Sequence, residues 1–201
     1  MEDKIKVIKD YIPDAAIPLL INYLKYWEFN LVIVKNRNTK HGDFRMLSEG
    51  VHQISVNNSA NPYRFLITII HEIAHLVAFK DFGYFIKPHG KEWKSCYQKL
   101  ITPFLKPEIF PQKLLDLLVH HFKNPKASTD SDFNLVIELN KFDPETEKNY
   151  IFELDLGTIF EIHNSRKFVL GSMRKKRYEC KEILTQRKYL FSPHAQVKKV
   201  K

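Results

Sequence analysis

Cysteine is almost missing from this sequence. Cys96 and Cys180 are the only two in 201 residues, and they lie far apart, so neither a disulfide framework nor a four-cysteine zinc ribbon is available. Any metal must be held mainly by histidine or carboxylate. Long apolar runs are missing as well: none approaches the roughly 18 residues of a membrane span. From Met1 to Tyr11 charges alternate with isolated Ile and Val, which is not the basic-then-apolar pattern of a signal peptide. The expectation is a cytoplasmic protein with no membrane partner. No internal repeat and no low-complexity segment occurs.

What is present suffices for a folded core. With 44% hydrophobic residues, the chain has room for one main domain and an appendage, at roughly 100–200 residues per domain. Up to Phe122 the pattern is mostly helical. Ile5 to Tyr26 carries apolar residues at helical spacing, interrupted by Pro13, and Asn61-Pro62 opens an apolar stretch that runs through Phe79. Phe29 to Val34 and Val51 to Val56 read as strands, joined by the polar stretch Lys35 to Asp43, which suits a loop or hairpin. Lys123 to Asp132 is a linker by composition. Short β-type runs follow, among them Asn134 to Leu139, Tyr150 to Leu154, Thr158 to Ile162, Lys167 to Leu170, Arg177 to Glu182 and Lys188 to Phe191. The expected class is α+β: a helical domain over 1–125 with a small antiparallel sheet, then a small all-β module over 126–201.

The charge is lopsided. From His163 to Lys201 there are 12 Lys and Arg against 2 Glu, a net of +10, whereas the whole chain carries +9. The excess is therefore entirely C-terminal. Such an excess favours a polyanion; a solvated basic face is the alternative, and charge alone does not separate the two.

The chemistry lies in His71-Glu72-Ile73-Ala74-His75. On a helix, His71 and His75 are one turn apart on the same face, so two imidazole nitrogens converge on one ion. Glu72 projects about 100° around the helix, beside that ion, where it is placed to take a proton from a zinc-bound water. From this composition the expected number of chance H-E-x-x-H strings is about 0.03, which makes accident a poor explanation. A catalytic zinc keeps three protein ligands and one open position. His89, 14 residues past His75 and at the head of a second helical stretch, Gly90 to Ile101, is the candidate third ligand.

These residues resemble the SprT-like zinc metallopeptidases, the family that includes bacterial SprT proteins and the eukaryotic protease Spartan. The features that match are the H-E-x-x-H helix, a loop of similar length, and His89-Gly90-Lys91-Glu92-Trp93. Upstream, Thr39-Lys40-His41-Gly42-Asp43-Phe44-Arg45 and His52-Gln53-Ile54-Ser55-Val56-Asn57 look like the hairpin before the catalytic helix. The resemblance spans roughly residues 10 to 122. It implies a zincin-like domain with one Zn2+ per chain, His71, His75 and His89 as ligands, and Glu72 as catalytic base. Through the best understood eukaryotic members it also implies action on proteins trapped on DNA. The paired cysteines with which some bacterial members end in a zinc ribbon are replaced here by Cys180 alone, a core thiol in this reading.

The tail suits such a partner. Arg166, Lys167, Arg174, Lys175, Lys176, Arg177, Arg187 and Lys188 alternate with Phe168, Tyr178, Tyr189 and Phe191, a mixture of charge and stacking surface used on nucleic acid. At strand spacing at least half of those aromatics belong to the module's own core. His41 and His52, near the expected cleft, are candidate substrate contacts. Two readings follow: a zinc endopeptidase, cytoplasmic or nucleoid-associated, acting on DNA-associated proteins or DNA–protein crosslinks; or a non-catalytic nucleic-acid-binding or scaffold protein that retains a metalloprotease fold.

Overall fold

Asn61-Pro62 starts the helix on which the fold is organised. The Asn61 side chain accepts hydrogen bonds from the backbone N–H groups of Tyr63 and Arg64, both at 3.1 Å, and Pro62 fills the first helical position, where no donor is needed. The helix runs over Pro62–Phe82 and stops at Gly83, whose φ of 77° few side chains tolerate. In a computed structural model that describes residues 6–37, 40–144 and 148–200, the chain forms two units, Met1–Pro144 and Glu145–Lys201. Ile5, Thr39 and Lys201 lie outside the described residues.

The first unit contains α1 (Ile17–Tyr26), β1 (Asn30–Val34), β2 (Gly42–Ser48), β3 (Val51–Asn57), α2 (Pro62–Phe82), α3 (Lys91–Ile101), α4 (Gln112–His121) and α5 (Phe133–Asn140). From Phe65 to Ala78, α2 is buried at every position except Thr68, His71 and His75. A helix apolar nearly all round must be wrapped on all sides, and α3 and the sheet supply much of that cover. The three exceptions form a stripe at i, i+3 and i+7, the one line along which α2 is open.

The sheet has the order β1-β3-β2 and is mixed. β2 pairs antiparallel with β3, from Gly42 opposite Val56 to Ser48 opposite Val51, which is the expected hairpin. β1 pairs parallel with β3, from Asn30 opposite Gln53 to Val34 opposite Asn57, so the wholly antiparallel sheet expected from sequence is corrected. The cause is β2: a half-exposed edge strand whose apolar residues do not alternate regularly, it reads as an extension of a polar connection, and its insertion reverses the chain once more before β3.

A second correction falls on Asn134 to Leu139, which is helical within α5 rather than a strand. Asp132 caps it, accepting from the Leu135 N–H at 3.4 Å, and Leu135, Val136 and Leu139 face the core. A six-residue segment with four apolar positions carries too little periodicity to separate the two states. The Asn61 amide ties α5 to the start of α2, donating to the Leu139 carbonyl at 2.8 Å and to Asp143 at 2.7 Å. The division between units accordingly falls after Pro144, later than the 125/126 boundary expected from sequence.

The second unit is an antiparallel sheet of β4 (Asn149–Tyr150), β5 (Ile159–Glu161), β6 (Lys167–Arg174), β7 (Arg177–Glu182), β8 (Lys188–Phe191) and β9 (Gln196–Lys199), in the order β4-β9-β5-β6-β7-β8. Ile151, Phe160, Phe168, Leu170, Cys180 and Val197 are buried together, with Tyr178, Tyr189 and Phe191 packed against them. The aromatics of the basic tail are thus core residues, and Cys180 is a core thiol. Among the described residues no helix is long and apolar enough to cross a membrane.

One ion pair is built into this sheet. Arg166 donates to the buried Glu182 at 2.6 Å and lies 4.8 Å over the Tyr189 ring and 5.2 Å over Phe168. Hydrogen bonds from Arg166 and Thr185 hold the Glu182 carboxyl down at about 2. A carboxylate lowered on folding stabilises the folded state above its ordinary pKa, and that contribution is lost as pH falls toward the folded value. Acidification from pH 5 to pH 2 should therefore open this unit in the wild type. Glu182→Gln should open it already at pH 7 and flatten the acid dependence; the labelling rate of the Cys180 thiol, resolved by mass spectrometry, measures both.

Candidate metal centre

His71 and His75 lie one turn apart on the open stripe of α2, and His89 reaches them from the loop before α3. The three Nε2 atoms are 3.1, 3.1 and 3.2 Å from one another. Nitrogens at about 2.0–2.1 Å from a tetrahedral zinc would sit about 3.3 Å apart, so the triangle nearly fits that ion. The cluster could hold a metal ion. His89 has a φ of 57°, a left-handed conformation that a non-glycine residue adopts at a cost. A tight turn enforces it: the Gly90 N–H bonds to the Lys87 carbonyl at 2.8 Å, and a Cβ at Gly90 would lie 2.8 Å from that same oxygen.

α3 closes the back of the cluster. Trp93, fully buried, lies 4.7 Å from the rings of His71 and His89 and 5.3 Å from that of His75. Tyr97, one turn later, donates to the Ile67 carbonyl at 3.1 Å. This apolar wall decides the protonation state of the triad. Burial holds His71 well below the ordinary imidazole value, helped by repulsion from His75 and His89; it holds His75 down at about 4 and lowers His89 as well. Neutral imidazole is the form that ligates a metal.

Glu72 is 5% exposed. Burial, with the Asp43 carboxylate nearby, pushes its pKa up to about 8, against the opposing pull of Arg37, Lys40 and the Phe44 N–H. β2 is what holds it there. At Gly42 the strand passes so close that a Cβ would meet the Glu72 carboxylate, its Cγ at 2.7 Å and the Thr68 methyl at 2.8 Å. Asp43 is itself neutralised by Lys40 at 2.9 Å and by Arg45. Arg37, on the same wall, is anchored by Asn57 at 2.8 Å and Ser55 at 3.1 Å.

The triad and Glu72 form part of a cleft of about 470 Å³. One wall is Arg37 with Lys40 to Phe44, the floor is the open face of α2, and a further wall is Lys126 to Asp130. His41 lines the cleft and bonds across it to Asp130 at 2.7 Å. His52 lies behind the wall, buried against Phe44 and Phe79 at ring distances of 5.9 and 5.6 Å. Sequence reasoning missed the Lys126–Asp130 wall, which composition labels a linker, and it missed the anchoring of Arg37. Gly42 did carry a signal, since a glycine within a strand often marks a close approach.

The eight cationic residues of the tail are not brought together. Arg166 is committed to Glu182, while Arg174 and Lys188 share Glu179 at 3.5 and 2.8 Å. Lys167, Lys175, Lys176, Arg177 and Arg187 enter no ion pair among the described residues. Arg174 to Arg177 form the tip of the β6–β7 hairpin, with the two arginines opposite each other and Lys175 at a φ of 58°. Lys167 and Arg187 belong to the other end of those strands. Like charges across a hairpin and a left-handed lysine both work against local stability.

Replacing Gly42 by alanine puts a methyl group where Glu72 and Thr68 already are. The expected loss is about 1–3 kcal/mol, read from urea unfolding of the first unit by Trp27 and Trp93 fluorescence.

Residues 32–109 match the model of the SprT-like family, and no solved structure matches the chain. The matched stretch holds most of β1, the β2–β3 hairpin, the whole of α2, His89 and α3, so the part of the chain that carries the three histidines and Glu72 is similar to the SprT-like family.

Proposed function

We propose that this protein is a cytoplasmic zinc-dependent endopeptidase acting on DNA-associated proteins or DNA–protein crosslinks. The observation that carries the reading is the convergence of three imidazoles and one buried carboxyl group in a single cleft. His71, His75 and His89 would hold one zinc per chain. Zinc bound there supplies a water of lowered pKa and polarises the scissile carbonyl. Burial raises Glu72 to about 8, so the charge of a bound zinc would be needed to ionise it at neutral pH; once ionised, and fixed by β2 beside the triad, it would accept the proton of the attacking water and return it to the leaving amine. Trp93 keeps solvent from the back of the imidazoles, and β2 at Gly42 keeps the Glu72 carboxyl group in place.

The β6–β7 hairpin tip supports the nucleic-acid part of the reading. Arg174, Lys175, Lys176 and Arg177 spend local stability on concentrated charge, which a phosphate backbone would repay. Lys167 and Arg187 add charge at the far end of the sheet. Arg166 and Lys188 contribute mainly to the fold of their own unit.

Glu72→Gln should keep about one zinc per chain and lose about 10²–10⁴-fold in turnover of a DNA-bound basic protein; metal analysis beside the cleavage assay reads both. A wild type that takes up no metal and cuts nothing refutes the peptidase reading. Cleavage by neither protein, with zinc bound and DNA affinity intact, would favour the non-catalytic scaffold. Lys175→Glu with Lys176→Glu should weaken DNA binding uniformly across sequences and reduce the salt slope of log K by about 2, measured by fluorescence anisotropy between 50 and 200 mM salt.

A further inference from the structure

One wall of the cleft differs from the other two sides. The floor belongs to α2, and the wall of Arg37 and Lys40 to Phe44 is tied to the sheet: the Asn57 N–H bonds to the His41 carbonyl at 2.8 Å, and the Asn57 amide donates to the Lys40 carbonyl at 2.8 Å. The third side, Lys126 to Asp130, contains no buried residue. Lys126 and Ala127 are exposed, and the short 3-10 turn Thr129–Ser131 buries nothing.

This side is a span between two fixed points. Upstream, Gln98 donates to the carbonyls of Phe122 and Lys123 at 2.8 and 3.2 Å, Lys94 donates to Asn124 at 2.6 Å, and Pro125 is buried. Downstream, Asp132 caps α5 and lies 3.4 Å from His121. Between those points the hydrogen bonds are local to the span: Asp130 N–H to Ser128 Oγ at 3.1 Å, and the Ser131 hydroxyl to the Ser128 carbonyl at 2.8 Å. Among the described residues Asp130 alone makes side-chain hydrogen bonds out of it, to His41 at 2.7 Å and to Arg64 at 3.5 Å.

We propose that Lys126–Ser131 is a strap, latched over the metal cleft by the Asp130–His41 contact, which swings aside to admit a polypeptide and so controls access to the triad. The proposal rests on reading the cleft as the substrate site. The latch is built to open. The side chains of His41 and Asp130 are 51% and 43% exposed, so water replaces each for the other at little cost. Arg64, which is 14% exposed, keeps Asp143 at 3.1 Å and Asn140 when Asp130 leaves, so opening strands no buried cation. A segment held by few, exposed polar contacts opens at a lower free energy than the packed walls beside it.

The test uses the full chain, zinc-loaded, with substitutions on each side of the latch, Asp130→Asn and His41→Gln. Both should speed zinc transfer to a chromogenic chelator and trypsin cleavage after Lys126 by about two- to fivefold, with the thermal midpoint unchanged. In the wild type, raising NaCl from 50 to 500 mM should speed both by a similar factor through screening, and Asp130→Asn should lose that salt dependence. Equal rates in wild type and both variants would overturn the strap. Cleavage after Lys126 needs no metal, so a chain that takes up no zinc refutes the peptidase reading while the strap is still decided.

Discussion

A helix buried on nearly every side can leave polar groups only where something is meant to meet them. In α2 the packing of Phe65 to Ala78 is interrupted only at Thr68, His71 and His75, and the site follows from that stripe. Because α3 and the sheet cover the rest of the helix, the two histidines cannot turn toward water elsewhere. Because the stripe is bordered by Trp93 and Tyr97, the imidazoles sit in surroundings that penalise a charge. The same burial that stabilises the helix therefore prepares the histidines to ligate.

The walls of the cleft divide the work of positioning. The β2 strand presses on Glu72 at Gly42, a contact that only a residue without a side chain permits, and it brings Asp43 near the same carboxylate. The tight Lys87–Gly90 turn places His89 at a backbone angle it would not choose alone. Precision at the centre thus comes from strained or crowded backbone on rigid elements, and the one loosely held side is the segment through which access is controlled.

The second unit shows how charge and structure compete for the same residues. Its sequence is strongly basic, yet Arg166, Arg174 and Lys188 pair with Glu182 and Glu179, and the interleaved aromatics fill the core of the unit. Of the cations left without an ion pair among the described residues, Lys175, Lys176 and Arg177 lie at the β6–β7 hairpin tip, where they oppose local stability.

The sequence by itself determined α2 and its metal motif, because a long apolar helix with histidines one turn apart follows from local periodicity and spacing. It also determined β1 and β3 and the β character of the C-terminal unit, while the β2–β3 hairpin came from the family resemblance. Tertiary structure decided the rest. The parallel pairing of β1 with β3 depended on β2, a strand whose half-exposed pattern resembles a loop. Helix α5 depended on packing against α2 through Asn61, since a six-residue segment with four apolar positions fits either a strand or a helix. Asp130 joined the cleft only because the chain returns there, 66 residues after Arg64 and 89 after His41, and contacts so distant in sequence leave no mark on composition or period. Local interactions can be read along the chain; the partners that long-range packing brings together cannot.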